Sequence, residues 1–310
     1  MKSLLRNTVS VILVALMTFC ADLLDETEII FPEIGALCIG LWVIDKPVWK
    51  IRRWQIPMLF TLAATIGVLL VRFVPLSLPM RLEIGFAIIA LLLMGLNASM
   101  TPAISACMLP VLMGTESWIY PLTVLILTTL LTVGQWLMER FHLRHVQHRE
   151  PSFSVPPSYL DISLRWLALM LILLPIMLVT TRYGWQYAMV PPLIVTLVEF
   201  SNSASGFRDR PFQIWFTLIA CALLGALAEG LLHHTWGLPH SLTAILTSAV
   251  ILLFFHFSHY YFAPAFAIAL VPMIIPFHVV PLYPLYVTFG SAYFILMAKI
   301  CFSRRMKFWS

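Results

Sequence analysis

Long apolar runs separated by short polar breaks make up almost the whole chain, and the breaks recur at a fixed interval. The runs fall near 7–24, 30–44, 55–71, 82–96, 102–114 and 119–138, then near 162–180, 188–201, 212–232, 240–256, 264–276 and 284–302, six in each half. A hydrocarbon core of about 30 Å takes roughly 20 helical residues, so most runs predict spanning helices and a few are too short to span alone. Landmark residues repeat in order. Phe31-Pro32 is answered by Val190-Pro191, Gln55-Ile56 by Gln213-Ile214, Gly67 by Gly225, Pro102 with Pro110 by Pro264 with Pro272, and Tyr120-Pro121-Leu122 by Tyr283-Pro284-Leu285. Offsets of 159, 158, 158, 162, 162 and 163 residues predict a duplicated unit.

Composition places the unit in a membrane. The 310 residues are 61% hydrophobic and 11% charged, with a mean hydropathy of +0.93, whereas soluble domains carry roughly 25% charged residues. The longest stretch outside the runs, 139–161, is of loop length and leaves no room for a soluble catalytic domain. The predicted organisation is therefore a first membrane repeat over 1–138, a basic linker over 139–161 and a second membrane repeat over 162–310. Lys2 and Arg6 precede an apolar run as in a signal peptide, but no small-residue cleavage site follows, so an uncleaved first helix is expected. Phe19 before Cys20 speaks against a lipoprotein signal. Cys20, Cys38, Cys107, Cys221 and Cys301 stand singly in apolar runs, with no disulfide framework or metal spacing.

Basic residues collect on the cytoplasmic side of a membrane protein. If every run crosses, one side holds Lys2, Arg6, Lys46, Lys50, Arg52, Arg53, Arg140, Arg144, Arg149, Arg165, Arg208, Arg210, Lys299, Arg304, Arg305 and Lys307, and the other keeps Arg72, Arg81 and Arg182, a split of 16 to 3. Were the short fifth run of each half not to change sides, the split would fall to 11 against 8. The first arrangement puts both halves the same way up, parallel repeats about an axis along the membrane normal. Both termini and the linker, with His142, His145 and His148 among its arginines, then face the cytoplasm, where anionic lipid headgroups attract them.

The runs starting at Pro102 and Pro264 are about 13 residues long, roughly 20 Å of helix. Polar breaks precede them, Asn97-Ala98-Ser99-Met100-Thr101 and Ser258-His259-Tyr260-Tyr261. Interrupted segments at matching places in two repeats point to a transport site. Proline fits the first helical turn, whose free N–H groups suit a small anion; the same breaks would also serve as plain helix–helix turns with satisfied caps. Glu33, after Pro32, either favours its own helix N-terminus or acts as a proton- or cation-coupling group. Its counterpart is Pro192. His256, His259 and His278 lack the spacing and the Cys or carboxylate partners of a zinc site, so no metal or other cofactor is expected. With no GxxxxGK[ST], HExxH or GxSxG motif, no catalytic residues or enzymatic chemistry are predicted.

The segment Met100-Thr101-Pro102-Ala103-Ile104-Ser105-Ala106-Cys107-Met108-Leu109-Pro110, leading to Trp118-Ile119-Tyr120-Pro121, resembles the HPP family of integral membrane proteins, in which a His-Pro-Pro-Ala motif opens a short apolar segment. Phe262-Ala263-Pro264-Ala265 resembles it more faintly, and Phe207-Arg208-Asp209-Arg210-Pro211 occupies the place of that family's arginine-bearing loop. Met100 and Phe262 replace the motif histidine, Thr101 and Ala263 its first proline, and only Pro102 and Pro264 carry over. The resemblance implies movement of a small anion such as nitrite. Six-helix halves with an early proline-bearing second helix are also similar to fusaric-acid-resistance and aromatic-acid-exporter proteins, which would imply export of aromatic carboxylates beside a membrane-fusion partner.

The resulting expectation is an all-α polytopic membrane protein with two parallel repeats of about six transmembrane or half-spanning helices each, in a bacterial plasma (inner) membrane. Its expected function is a permease or channel for a small, nitrite-like anion, bound where Pro102 and Pro264 approach. Asn97, Ser99, Thr101, Ser105, Ser258 and His259 supply polar contacts and Glu33 is the coupling candidate. Its partners are the bilayer, the substrate and a second copy of itself, not nucleic acid. A non-transporting scaffold is the rival class; it requires the two short segments to pack dry, whereas the permease requires a wet vestibule reaching Asn97 or His259.

Overall fold

In hydrocarbon every backbone N–H and C=O must find its partner within the protein, which leaves apolar runs little choice but helix. The computed structural model, which describes residues 2–144, 159–202 and 206–302, is an all-α polytopic membrane protein with no strand among those residues. Among the described residues, eight helices are long and apolar enough to cross a bilayer: α1 (Lys2–Leu24), α3 (Gln55–Phe73), α4 (Leu78–Gly95), α6 (Ile119–Arg140), α7 (Tyr159–Arg182), α9 (Pro211–Leu227, prolonged as a π-helix to Thr235), α10 (His240–Ser258) and α12 (Tyr283–Cys301, entered by a 3₁₀ segment from Phe277). Their outer faces carry exposed Leu16, Leu91, Ile126, Leu171, Phe216 and Leu253, as lipid contact requires. His145, His148 and Arg149 of the linker and Arg304, Arg305 and Lys307 of the tail lie outside the described residues.

Four short helices remain: α2 (Glu33–Cys38, prolonged as a π-helix to Val43), α5 (Pro102–Met113), α8 (Pro191–Ser201) and α11 (Ala263–Leu270, prolonged as a 3₁₀ turn to Met273). Every residue over 33–43, 102–112, 191–201 and 263–273 is buried. Eleven or twelve residues rise about 18 Å at most, so at least one end of each of these helices falls inside the hydrocarbon and survives only wrapped in protein. They form a closed ring in which α2 packs on α5, α5 on α8, α8 on α11 and α11 on α2. The long helices enclose it, α3 and α4 against α5, α9 against α11 and α12 against α8. Small residues such as Ala103, Ala106, Ala265 and Ala269 allow this close approach.

Equivalent contacts recur in the two halves. Tyr120 Oη donates to the Ala106 carbonyl at 3.1 Å, and Tyr283 Oη to that of Ile268 at 2.9 Å. α1 packs on α10 of the other half, and α7 on α4. Gly67 of α3 rests on the Cys107 carbonyl of α5 and Gly225 of α9 on that of Ala269 in α11; a Cβ at either glycine would lie 2.2 Å from that oxygen.

The two ends of the bundle differ in charge. At one end Lys2 donates to the His142 carbonyl (2.8 Å), Arg6 pairs with Asp45, Arg53 with Glu139, and Arg144 donates to the Ile44 carbonyl (2.8 Å). The chain thus returns to its starting end after α6. At the opposite end Asp22 accepts from the backbone N–H groups of His240 (3.1 Å) and Ser241 (2.8 Å), closing α1 on the start of α10.

Gly67→Val and Gly225→Val each force α3 or α9 away from its short helix and are expected to cost about 1–3 kcal/mol, read as a lowered unfolding midpoint in detergent micelles. Gly95→Ala, where a Cβ meets nothing within 4 Å, should leave the midpoint unmoved.

Candidate functional site

Two buried carboxylates inside the ring, one from α2 and one from α8, meet hydroxyls of a single helix. Residues four apart on an α-helix share a face, and α5 with its first flanking residue puts Thr101 and Ser105 on one such face. Ser105 Oγ donates to Glu33 Oε1 of α2, and Thr101 Oγ1 donates to Glu199 Oε1 of α8. Two carboxylates from two different helices are thereby held along one line of α5, their hydroxyl donors about 6 Å apart in rise. Both are buried, Glu33 at 1% exposure and Glu199 at 7%.

Their surroundings differ. Trp49 Nε1 adds a second hydrogen bond to Glu199 Oε1 at 3.1 Å, and Arg165 of α7 is near enough to attract it. Arg165 Nε donates to Ser201 Oγ (3.0 Å), while Arg208 donates to the carbonyls of Phe200 (2.5 Å) and Ser201 (2.6 Å). A cation at the end of α8 meets the negative end of its dipole and its unpaired carbonyls. Glu199 is therefore part of a charged network at the basic end.

Glu33 has no such network. Ser105 is its only side-chain donor among the described residues, and its buried Oε2 has no hydrogen-bond partner. Tyr120 and Tyr283, one from each half, are close enough to feel its charge. Beside Tyr120 lies a cleft of about 50 Å³ at the end opposite the basic one, lined by Thr27, Glu28, Leu109, Pro110, Thr115 and Tyr120 among others. Burial pushes the Glu28 carboxyl there above its ordinary pKa, against an opposing hydrogen bond from Ser117.

Thr101, Ser105 and Glu33 are thus brought together, with Pro102 opening α5 beside them. The remaining residues singled out by sequence serve elsewhere. Lys50 N–H donates to Ser99 Oγ (2.7 Å) and Lys50 Nζ to Asn97 Oδ1 (3.0 Å), tying two loops at the basic end. Ser258 Oγ turns back to the Phe255 carbonyl (3.2 Å), and exposed His259 adopts a left-handed conformation (φ 52°) that ends α10. Pro264 is buried at the start of α11, which has no packing on α5 comparable with its contacts to α2 and α8. Neither the cleft beside Tyr120 nor a second one lined by Lys2, Leu4, Leu5, Thr8 and Leu143 reaches Asn97 or His259. Sequence reasoning missed Glu199, although a carboxylate closing an apolar run carries the same signal as Glu33. Nothing in the sequence pairs it with Trp49 or Thr101.

No family model, curated protein or solved structure matches this chain.

Removing a donor from a buried carboxylate costs about 1–3 kcal/mol. Ser105→Ala strips Glu33 of its side-chain donor, whereas Thr101→Val leaves Glu199 with Trp49 and the pull of Arg165. The first variant should be the more destabilised of the two in micelle unfolding titrations, and equal effects would refute this difference in support.

Proposed function

We propose that this chain is a proton-coupled permease for a small monovalent anion, built from two parallel six-helix repeats in a bacterial plasma membrane with termini and linker cytoplasmic. The observation that carries the reading is the seam Glu33–Ser105–Thr101–Glu199: two ionisable side chains buried inside the helical bundle and tied to one short helix. Such residues mark proton or ion pathways. The matched contacts of Tyr120 with Tyr283 and of Gly67 with Gly225 support the parallel repeats, and the 16 to 3 charge split supports the orientation.

The chemistry follows from competition for one helix end. The first turn of α5 carries the positive end of the helix dipole, although the Ala103 and Ile104 N–H groups there turn back to the Met100 and Thr101 carbonyls, and Glu199 is held at that turn by Thr101. An incoming anion must take the carboxylate's place. It does so when Glu199 takes up a proton and loses its charge, so proton and anion move together. Glu33, between Ser105 and the tyrosine beside the opposite cleft, passes the proton between that cleft and Glu199.

Proteoliposomes carrying nitrite and a pH-sensitive dye test this reading. Wild-type protein should move nitrite when a proton gradient is imposed; Glu199→Gln should abolish the response to the gradient, and Glu33→Gln should slow it by tenfold or more. Transport of aromatic carboxylates instead of nitrite would favour the exporter resemblance. Flux of neither would leave the non-transporting scaffold, the reading favoured by the complete burial of the four short helices. Single cysteines placed in the linker and after residue 303, on a background free of the five native ones, should be labelled from the same side of the membrane.

A further inference from the structure

At the end of the bundle opposite the basic one, α9 does not stop as an α-helix. From Ala228 to Thr235 it continues as a π-helix, whose i→i+5 hydrogen bonding widens the turn. On an α-helix a side chain four residues on shares a face and one five residues on has left it; the wider π turn brings both beneath Glu229. Those residues are His233 and His234. One ligand atom from each of Glu229, His233 and His234 lies within 4.8 Å of the others, and Glu229 Oε1 is 3.6 Å from His234 Nε2.

The groups around these three orient them as metal ligands are oriented. Nδ1 of His233 is held by the Leu238 carbonyl at 2.7 Å, which leaves Nε2 to face an ion. The His234 ring lies against Phe277, with centroids 3.7 Å apart and planes at 33°. His240, at the start of α10, bridges two carboxylates: Nε2 is 3.4 Å from Glu229 Oε1 and Nδ1 is 3.3 Å from Asp22 Oδ1. A carboxylate behind an imidazole, or an imidazole behind a ligating carboxylate, is the usual second layer of a metal site. Hydrogen bonding does not exhaust the cluster either. Glu229 is 2% exposed, and its buried Oε2 has no hydrogen-bond partner.

We propose that Glu229, His233 and His234 bind a divalent first-row cation of the zinc class, with His240 and Asp22 orienting Glu229. Two imidazoles and one carboxylate suit zinc and its neighbours rather than magnesium or calcium, which prefer oxygen alone. Bond lengths of about 2.0–2.2 Å put tetrahedral ligand atoms roughly 3.3 Å apart, so the present spacing closes on an ion with small side-chain shifts. His234 is about a third exposed, at 36%, which gives the ion a route in and leaves a fourth position for water. A bound ion would fasten α9 to α10 and, through Asp22, to α1. The site stands apart from the carboxylate seam and does not rest on the transport reading.

The test uses full-length protein in detergent, purified without a polyhistidine tag and stripped with a chelator. Titration with Zn²⁺ by calorimetry should give one site per chain, and Co²⁺ should give the intense visible absorption of a four-coordinate ion. His233→Ala and His234→Ala should each weaken Zn²⁺ binding by a hundredfold or more, and Asp22→Asn by about 10–100-fold. The pair His256→Ala and His259→Ala, at the other end of α10, should change nothing. Should His233→Ala fail to fold, His234→Ala decides alone, because its ring is partly exposed. Absence of any stoichiometric site in the wild type, or a site unaffected by His233→Ala and His234→Ala, overturns the proposal.

Discussion

Helix ends cannot be left bare in hydrocarbon, and four helices of this protein have at least one end there. α2, α5, α8 and α11 are too short to bridge the bilayer, so the terminal N–H and C=O groups of each need protein around them. Everything else in the fold is subordinate to that need. Eight long helices are deployed as a wall whose outer faces meet lipid and whose inner faces meet the ring. Glycines at Gly67 and Gly225 let the wall touch the backbone of α5 and α11 directly. The carbonyls that Pro110 and Pro272 free, those of Ala106 and Ile268, are bonded instead by Tyr120 and Tyr283, since a buried carbonyl left without a partner in hydrocarbon costs several kcal/mol.

The same constraint explains where charge is found. Arg208 closes the carbonyl end of α8, and Glu199, one turn inside it, is compensated by Trp49, Thr101 and Arg165. This is a self-contained arrangement in which each ion has partners, as buried charge requires. Glu33 stands outside that economy, with one hydroxyl donor and one oxygen without a partner. A structural role at the start of α2 would be served as well by serine or asparagine at lower desolvation cost. An acid so poorly supported inside the ring is the reason for reading the seam as functional rather than architectural.

Much of this frame was legible in the sequence because hydrophobic run length and proline position are local properties. The short α5 and α11 follow from Pro102 and Pro264, and α2 and α8 from Pro32 and Pro191. Their burial did not follow, since an apolar run reads alike whether it faces lipid or protein. Thr101, Ser105 and Glu33 could be singled out one by one, but their convergence depends on α2 packing beside α5 from 70 residues away. Asn97 and Ser99 carry the same polar signal as Thr101; a few residues of helix phase send them to Lys50 at the bundle end instead. The histidines show the limit most clearly. His256 and His259 attract notice by helical spacing, whereas His234 joins Glu229 and His233 only through a π turn that no α-helical periodicity reveals.

Chemistry breaks the symmetry that packing keeps. At the offsets that relate the halves, Glu33 corresponds to Pro192, and Thr101 and Ser105 to Ala263 and Ala267. The ring therefore has one polar seam, along α5, while the equivalent face of α11 is alanine. Two seams would place up to four carboxylates in one small dry ring, where like charges raise the cost of ionising each. A single seam keeps two acids, each on its own helix and each with its own hydroxyl. Matched contacts in the two halves hold the ring from both sides, and the alanines of α11 leave α5 as the side on which the carboxylates are bound.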